Sequence, residues 1–161
     1  MNIKSYKEYM TAEMLMGPNS ARILEELLKQ YPLQLSNENK VLDLGCGKGL
    51  TSLILARETG AKVYANDLWI SAEDNKKRFE GWGIGKQTVP VCEDANNLSF
   101  AEKQFDTLVS VDAYHYFATG SGFFEKKILP FLNNNAVALI GIPGIKDEYT
   151  ALSEELLTDW L

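Results

Sequence analysis

The chain has 161 residues, 45% of them apolar and 24% charged, which suits one globular domain able to bury a core of its own. Its formal net charge of −6 sets the surface as a whole against a phosphate backbone, so nucleic acid is not an expected partner. The longest strongly apolar run, residues 136–142, is too short to cross a bilayer and the first eight residues carry no apolar signal core, so no membrane insertion and a cytoplasmic setting are expected.

In chain order, Tyr6, Tyr9, Met10, Met14, Leu15 and Met16 come first, ahead of Gly17-Pro18. Residues 1–18 read either as a helix packed on the domain or as a lid, because methionine-rich surfaces repack around varied ligands. Asn19 and Ser20 can cap a helix with Ile23, Leu24, Leu27 and Leu28 on one face and Glu25 and Glu26 toward water. A first strand runs to Leu44, and Leu50 to Glu58 reads as a helix closed by Gly60. Lys62 to Asn66 is a second strand. Ser71-Ala72-Glu73-Asp74 resembles a capping box opening a charged helix through Phe79, stopped by Gly81 and Gly83.

Gln87 to Cys92 forms a third strand. Pro90 inside it cannot donate to a ladder on both sides, which puts this strand at a sheet edge. Thr107 to Val111 is a fourth strand, Gly122 to Leu132 a helix with Phe123, Phe124, Ile128 and Leu129 inward, and Ala136 to Ile142 a buried fifth strand. Strands alternating with helices predict an α/β, Rossmann-like doubly wound, mostly parallel sheet. Right-handed crossovers then give the order 3-2-1-4-5. A last helix carrying Leu152, Leu156 and Leu157 reaches Leu161 without a cap, so the chain reads as cut short.

Chemistry concentrates where the first strand ends. Val41-Leu42-Asp43-Leu44-Gly45-Cys46-Gly47-Lys48-Gly49 sets a carboxylate and three alternating glycines ahead of a helix, so a ligand is expected to touch main chain there, although such turns also need glycine for packing. Position 50 is Leu, so the dinucleotide pattern GxGxxG fails, and the spacing of a phosphate-cradling loop is absent. Asp67 ends the second strand, either as an acceptor for both ribose hydroxyls or as a helix-capping residue. Glu93-Asp94-Ala95 leaves the third strand where it can read a base edge. Three strand ends therefore point to one nucleoside. Cys46 and Cys92 lack CxxC spacing and read as reduced thiols, with no metal site in view.

After the fourth strand comes Asp112-Ala113-Tyr114-His115-Tyr116-Phe117. His115, the only histidine, is either a base for an acceptor hydroxyl, phenol or acidic carbon, or a packing or surface residue. Tyr114 and Tyr116 offer an aromatic face to a cation or fill the core. Asp112 contacts the ligand or caps the next turn. Lys48 reads as a solvated side chain. The segment has no Pro-Pro-aromatic run and no Pro-Cys pair.

From residue 19 to 143 these motifs, in this order, resemble the class I S-adenosylmethionine-dependent methyltransferases, in particular the small-molecule branch with ubiquinone/menaquinone-type and cyclopropane-fatty-acid-synthase-like enzymes. The resemblance implies that Asp43, Gly45, Cys46, Gly47 and Gly49 hold the methionine part, Asp67 the ribose, Leu68 one adenine face, and Asp94 with Ala95 the adenine edge. Residues 19–161 would then be the cofactor-binding domain, truncated before the family's terminal antiparallel strand pair. The implied activity is methyl transfer to a small-molecule acceptor by in-line displacement, leaving S-adenosylhomocysteine. The alternatives are a non-catalytic binding module and aminopropyl transfer from a decarboxylated cofactor. The sequence carries no signal for an oligomeric state.

Overall fold

A computed structural model describes residues 2–144, and the final helix expected around Leu152 to Leu157 lies outside the described residues. The elements are a 3-10 helix at Ile3–Tyr9, α1 (Ser20–Gln30), β1 (Lys40–Leu44), α2 (Leu50–Thr59), β2 (Lys62–Asn66), α3 (Ala72–Gly81), β3 (Thr88–Val91), β4 (Phe105–Val111), α4 (Tyr114–Phe117) and β5 (Leu132–Gly141). The strands form one sheet in the order β3-β2-β1-β4-β5, every neighbouring pair parallel, as the alternation of strand and helix predicts. All the strands therefore end along one rim, and that rim positions the site.

Successive strand residues face opposite sides of the sheet, so each strand feeds two cores. Val41, Val63, Ala65, Val109 and Leu139 pack with Leu24 of α1, the apolar side chains of α2 and Phe79 of α3. On the other face Leu42, Leu44 and Leu108 pack with Phe105, Phe123 and Ile128. Helix α2 is buried from Leu50 to Ala56, Thr51 and Ser52 included, so its burial is not confined to one stripe.

The helix ends follow the local chemistry. Asn19 caps α1 by accepting from the Arg22 amide, and Ser71 caps α3 by accepting from the Asp74 amide. Gly60 closes α2 in the left-handed conformation, φ 73°. Pro90 sits in the edge strand β3, as expected. Toward β2 the carbonyls of Gln87 and Val91 accept from Val63 and Asp67, so Pro90 turns its missing donor to the open side.

Two expectations give way. The helix foreseen from Gly122 to Leu132 is a π turn at Phe124–Ile128 followed by a 3-10 turn at Leu129–Phe131, and Leu132 already opens β5. Pro130 has no amide to continue α-type bonding, and the Pro130 and Phe131 carbonyls are taken by the amides of Lys103 and Gln104. Leu129, expected inward, is 49% exposed. β5 pairs Leu132 with Phe105 and next Val137 with Thr107, an irregularity that swallows the three asparagines and hides the strand's start from a reading of alternation. The second concerns Glu25. Instead of facing water its carboxylate accepts from the Ile3 amide and holds the N-terminal 3-10 helix.

That helix buries Tyr6, whose hydroxyl donates to Glu58 at 2.7 Å. Burial and that neighbouring carboxylate hold the phenol well above its usual range.

Gly49 precedes α2 with φ +83°, and a Cβ there would lie 2.3 Å from Cε1 of Phe79. Gly49→Ala should therefore destabilise the fold by about 2–4 kcal/mol, from left-handed strain plus a clash with a fully buried ring. Urea unfolding checks this, and a loss below roughly 0.5 kcal/mol would mean that Phe79 gives way freely.

Candidate functional site

Between β1 and α2 the chain turns through Gly45, Gly47 and Gly49, all with positive φ. The Gly45 and Cys46 amides both donate to the Asn66 carbonyl at the end of β2. A Cβ on Gly45 would stand 2.3 Å from Cβ of Ala113, so the segment after β4 presses directly on the turn. Gly45 and Gly49 thus answer to protein neighbours. Gly47 is the one whose surface faces outward, under Met16.

Asp67, at the end of β2, ties this turn to the next. Its Oδ2 accepts from the Gly47 amide at 2.7 Å, and its Oδ1 accepts from the Trp69 and Ile70 amides at 2.8 and 3.0 Å. A carboxylate offers about four lone-pair positions. Three are used here, which leaves about one position open.

Two cavities meet along the strand rim. The larger, of about 350 Å³, lies between the ends of β2 and β3 and is lined by Asp67, Leu68, Trp69, Asp94 and Ala95 among others. The smaller, of about 110 Å³, lies over the glycine turn, lined by Cys46, Gly47, Lys48, Asp112 and the N-terminal Met14 and Met16. Gly45, Asp67, Trp69, Ala113 and Tyr116 line both. Of the expected site residues, Gly45, Cys46, Gly47, Asp67, Leu68, Asp94, Ala95 and Asp112 are brought together here. Asp43, Gly49 and His115 line neither cavity.

Asp43 is sealed beneath the turn. Its Oδ2 accepts from the Thr51 and Ser52 hydroxyls at 2.7 and 2.6 Å, fastening β1 to the first turn of α2. Its Oδ1 has no partner among the described residues. Burial pushes its carboxyl up to about 6, against the pull of the two hydroxyls and with a further push from Asp67. The same burial holds the Cys46 thiol well above its ordinary range. Asp94 is held below the usual carboxylate range by the Asn96 amide and side chain, which both donate to Oδ1.

Asp112 follows β4 in left-handed backbone, φ 53°, a conformation that Asp tolerates better than most residues. Its amide donates to the Gly141 carbonyl, and its Oδ2 stands 3.1 Å from where a Cβ of Gly17 would be. Lys48 is not free in solvent, since its ammonium donates to the Glu13 carbonyl. Met16, Gly17 and Lys48 thus draw the N-terminal segment across the smaller cavity.

In the short helix α4, Tyr116 and Phe117 face the larger cavity. Tyr114 turns away, its ring against Phe117 and Phe123. The His115 ring lies 4.1 Å from that of Tyr116, with Nδ1 buried and without a partner among the described residues. Three site residues escaped the sequence reading. Trp69 was hidden as the second residue after Asp67, where nothing in the spacing marks it. Asn66 exchanges hydrogen bonds with the Glu93 backbone and so sets Asp94 in place. Asn75, fully buried in α3, donates to the Gly47 carbonyl, and only a polar residue on the Phe79 face of that helix could have announced it.

Residues 41–126 match the model of a family described as a methyltransferase domain. The chain belongs to that methyltransferase-domain family. It is 33% identical over 93 residues to methyltransferase GfsG of Streptomyces halstedii, covering 57% of this chain and 33% of that protein. It is 30% identical over 109 residues to the human mitochondrial arginine-hydroxylase NDUFAF5, covering 68% and 28%. The methyltransferase domain therefore spans a third or less of these relatives' length. The fold is shared with an S-adenosylmethionine-dependent methyltransferase from Thiobacillus denitrificans solved with S-adenosylhomocysteine, at TM-score 0.71 and 24% identity over 98% of this chain and 61% of that one.

Asp43 titrates higher in the folded methyltransferase domain, at about 6, than in the unfolded chain, near 3.9. Its contribution is therefore fully present below about pH 4 and lost as pH rises through 6. Asp43→Asn, which cannot ionise, should gain on the parent by roughly 3 kcal/mol between pH 4 and 7, at 1.36 kcal/mol per unit. Urea unfolding at the two pH values measures the difference, and a pH-independent gap would place the ionisation elsewhere.

Proposed function

We propose that this domain binds S-adenosylmethionine across the two cavities and transfers its methyl group to a small-molecule acceptor. One observation carries the reading: Asp67, with a single open acceptor position, lines both cavities where they meet. A ribose there would put the base against Leu68, Asp94 and Ala95 and the amino-acid tail over Gly47, with Asp112 to meet an α-ammonium.

The residues present suit that ligand. It carries no phosphate, and among the described residues lining either cavity the one basic side chain, Lys48, donates to the Glu13 carbonyl. It carries a sulfonium and an ammonium, and the carboxylates of Asp67 and Asp112 border the smaller cavity.

When bound, the cofactor supplies an electrophilic methyl: the acceptor atom forms the new bond to carbon as the carbon–sulfur bond breaks, its electron pair staying on sulfur and the acceptor's proton passing to a base or to water. For the protein, the work is positioning. Holding the reactants near attack distance is worth up to about 7–11 kcal/mol, so no acid–base triad is required. His115 acts in this reading through Tyr116, whose ring it backs. Cys46 and Cys92 are free thiols, in keeping with a cytoplasmic setting.

Titration calorimetry tests the assignment: S-adenosylmethionine and S-adenosylhomocysteine should bind with similar strength and NAD should give no heat. Asp67→Ala should weaken S-adenosylhomocysteine by about 2–3 kcal/mol or more, because the turn loses its brace as well as the ligand a partner. If Asp67→Ala binds like the parent, the ribose assignment fails.

Residues 1–18 act in this reading as a lid, supported by Met16 over Gly47 and Gly17 beside Asp112. Limited proteolysis around residues 10–18 should slow severalfold with saturating S-adenosylmethionine. Unchanged cleavage would leave the segment a fixed wall.

A further inference from the structure

Exposed apolar side chains are concentrated at one place on this surface. Of the seven large hydrophobic residues that stand exposed among the described residues, four line the two cavities: Met16, Leu68, Trp69 and Tyr116. Trp69 is 70% exposed and Tyr116 60% exposed. They arrive from different elements, Trp69 after β2 and Tyr116 from α4, and still bring their rings to 5.7 Å. Single exposed hydrophobic residues need no explanation, but a tryptophan and a tyrosine meeting over the junction of two cavities do.

On the reading that the cofactor spans both cavities, that junction is where the methyl leaves. Trp69 and Tyr116 are the exposed rings at that junction, the apolar surface an approaching acceptor would meet. The carboxylates around the same mouth are Asp112, Asp67, Glu93 and Asp94, and among the described residues they outnumber the cations, Lys48 in the lining and Lys127 near enough to act on Asp94. A carboxylate or phosphate on the acceptor would therefore meet an excess of like charge.

We infer that Trp69 and Tyr116 are the acceptor-determining residues, and that they select a neutral acceptor with a flat aromatic ring over an anionic one of the same shape. Trp69 provides the open ring face. Tyr116 sets its tilt and is itself held by His115. Met16, from the N-terminal segment, closes the apolar wall at the smaller cavity.

The test uses the full chain saturated with S-adenosylhomocysteine, with 2-naphthol as the neutral probe and 2-naphthoate as its anionic counterpart, each followed by equilibrium dialysis. 2-Naphthol should bind saturably and at least about tenfold more tightly than 2-naphthoate. Trp69→Ala and Tyr116→Ala, also saturated with S-adenosylhomocysteine, should each lose about tenfold in 2-naphthol affinity, while Trp69→Phe stays within about threefold. Both side chains are exposed, and far-UV circular dichroism together with the Trp69→Phe variant guards against loss of fold. Equal binding of the two probes, alanine variants that bind like the parent, or no saturable 2-naphthol binding to the loaded protein overturns the inference. Failure of the parent to bind S-adenosylhomocysteine is a different result: it defeats the cofactor reading and this inference with it.

Discussion

The site depends on one carboxylate, Asp67, accepting three backbone hydrogen bonds from two turns at once. Charge-assisted bonds of this kind are worth roughly 1.5–3 kcal/mol each, and here they replace the water that the Gly47, Trp69 and Ile70 amides would otherwise need. The geometry follows from the sheet. β1 and β2 are parallel and in register up to Leu44 and Asn66, so the residue after β2 emerges beside the turn after β1. Because the same side chain also borders both cavities, the shape of the cleft and the polarity of its floor come from a single residue.

Around that brace, the glycine turn is less a free loop than a wedge. Phe79 from one side and Ala113 from the other come so close that Gly49 and Gly45 have no space for a methyl group. Asn75 holds the Gly47 carbonyl from below, and Asp43 pins the start of α2 through Thr51 and Ser52. A turn fixed on every side needs little reorganisation to meet a ligand, which is the condition under which preorganised backbone contributes most.

Most of the architecture was legible in the sequence because its signals are local. Pro90 announced an edge strand, Gly60 a helix end, Ser71 and Asn19 helix starts, and the alternation of strand and helix the parallel order. The fifth strand's beginning was not legible, since Asn133-Asn134-Asn135 has none of the β-branched character that marks a strand and is absorbed in an irregular pairing. Asp67 and Asp94 were named from their places at strand ends and Leu68 from the family resemblance, and all three line the larger cavity. Trp69, Asn66 and Asn75 act through contacts with residues 20 or more positions away, or across a cleft, and no spacing rule encodes those. Where two readings were open, packing describes Gly49, whose glycine serves Phe79 and lines neither cavity, and Tyr114, whose ring lies in the core against Phe123.

Pro90 bears on more than topology. Its neighbours' carbonyls bond inward to β2, so the outer rim of β3 offers an approaching strand a gap where an amide should be and a ring that stands in the way. A foreign chain seeking to extend the sheet finds its ladder interrupted at the first attempt. The residue that marks where the sheet stops in sequence is thus also a guard against self-association through that rim, without any charge or covering segment being needed there.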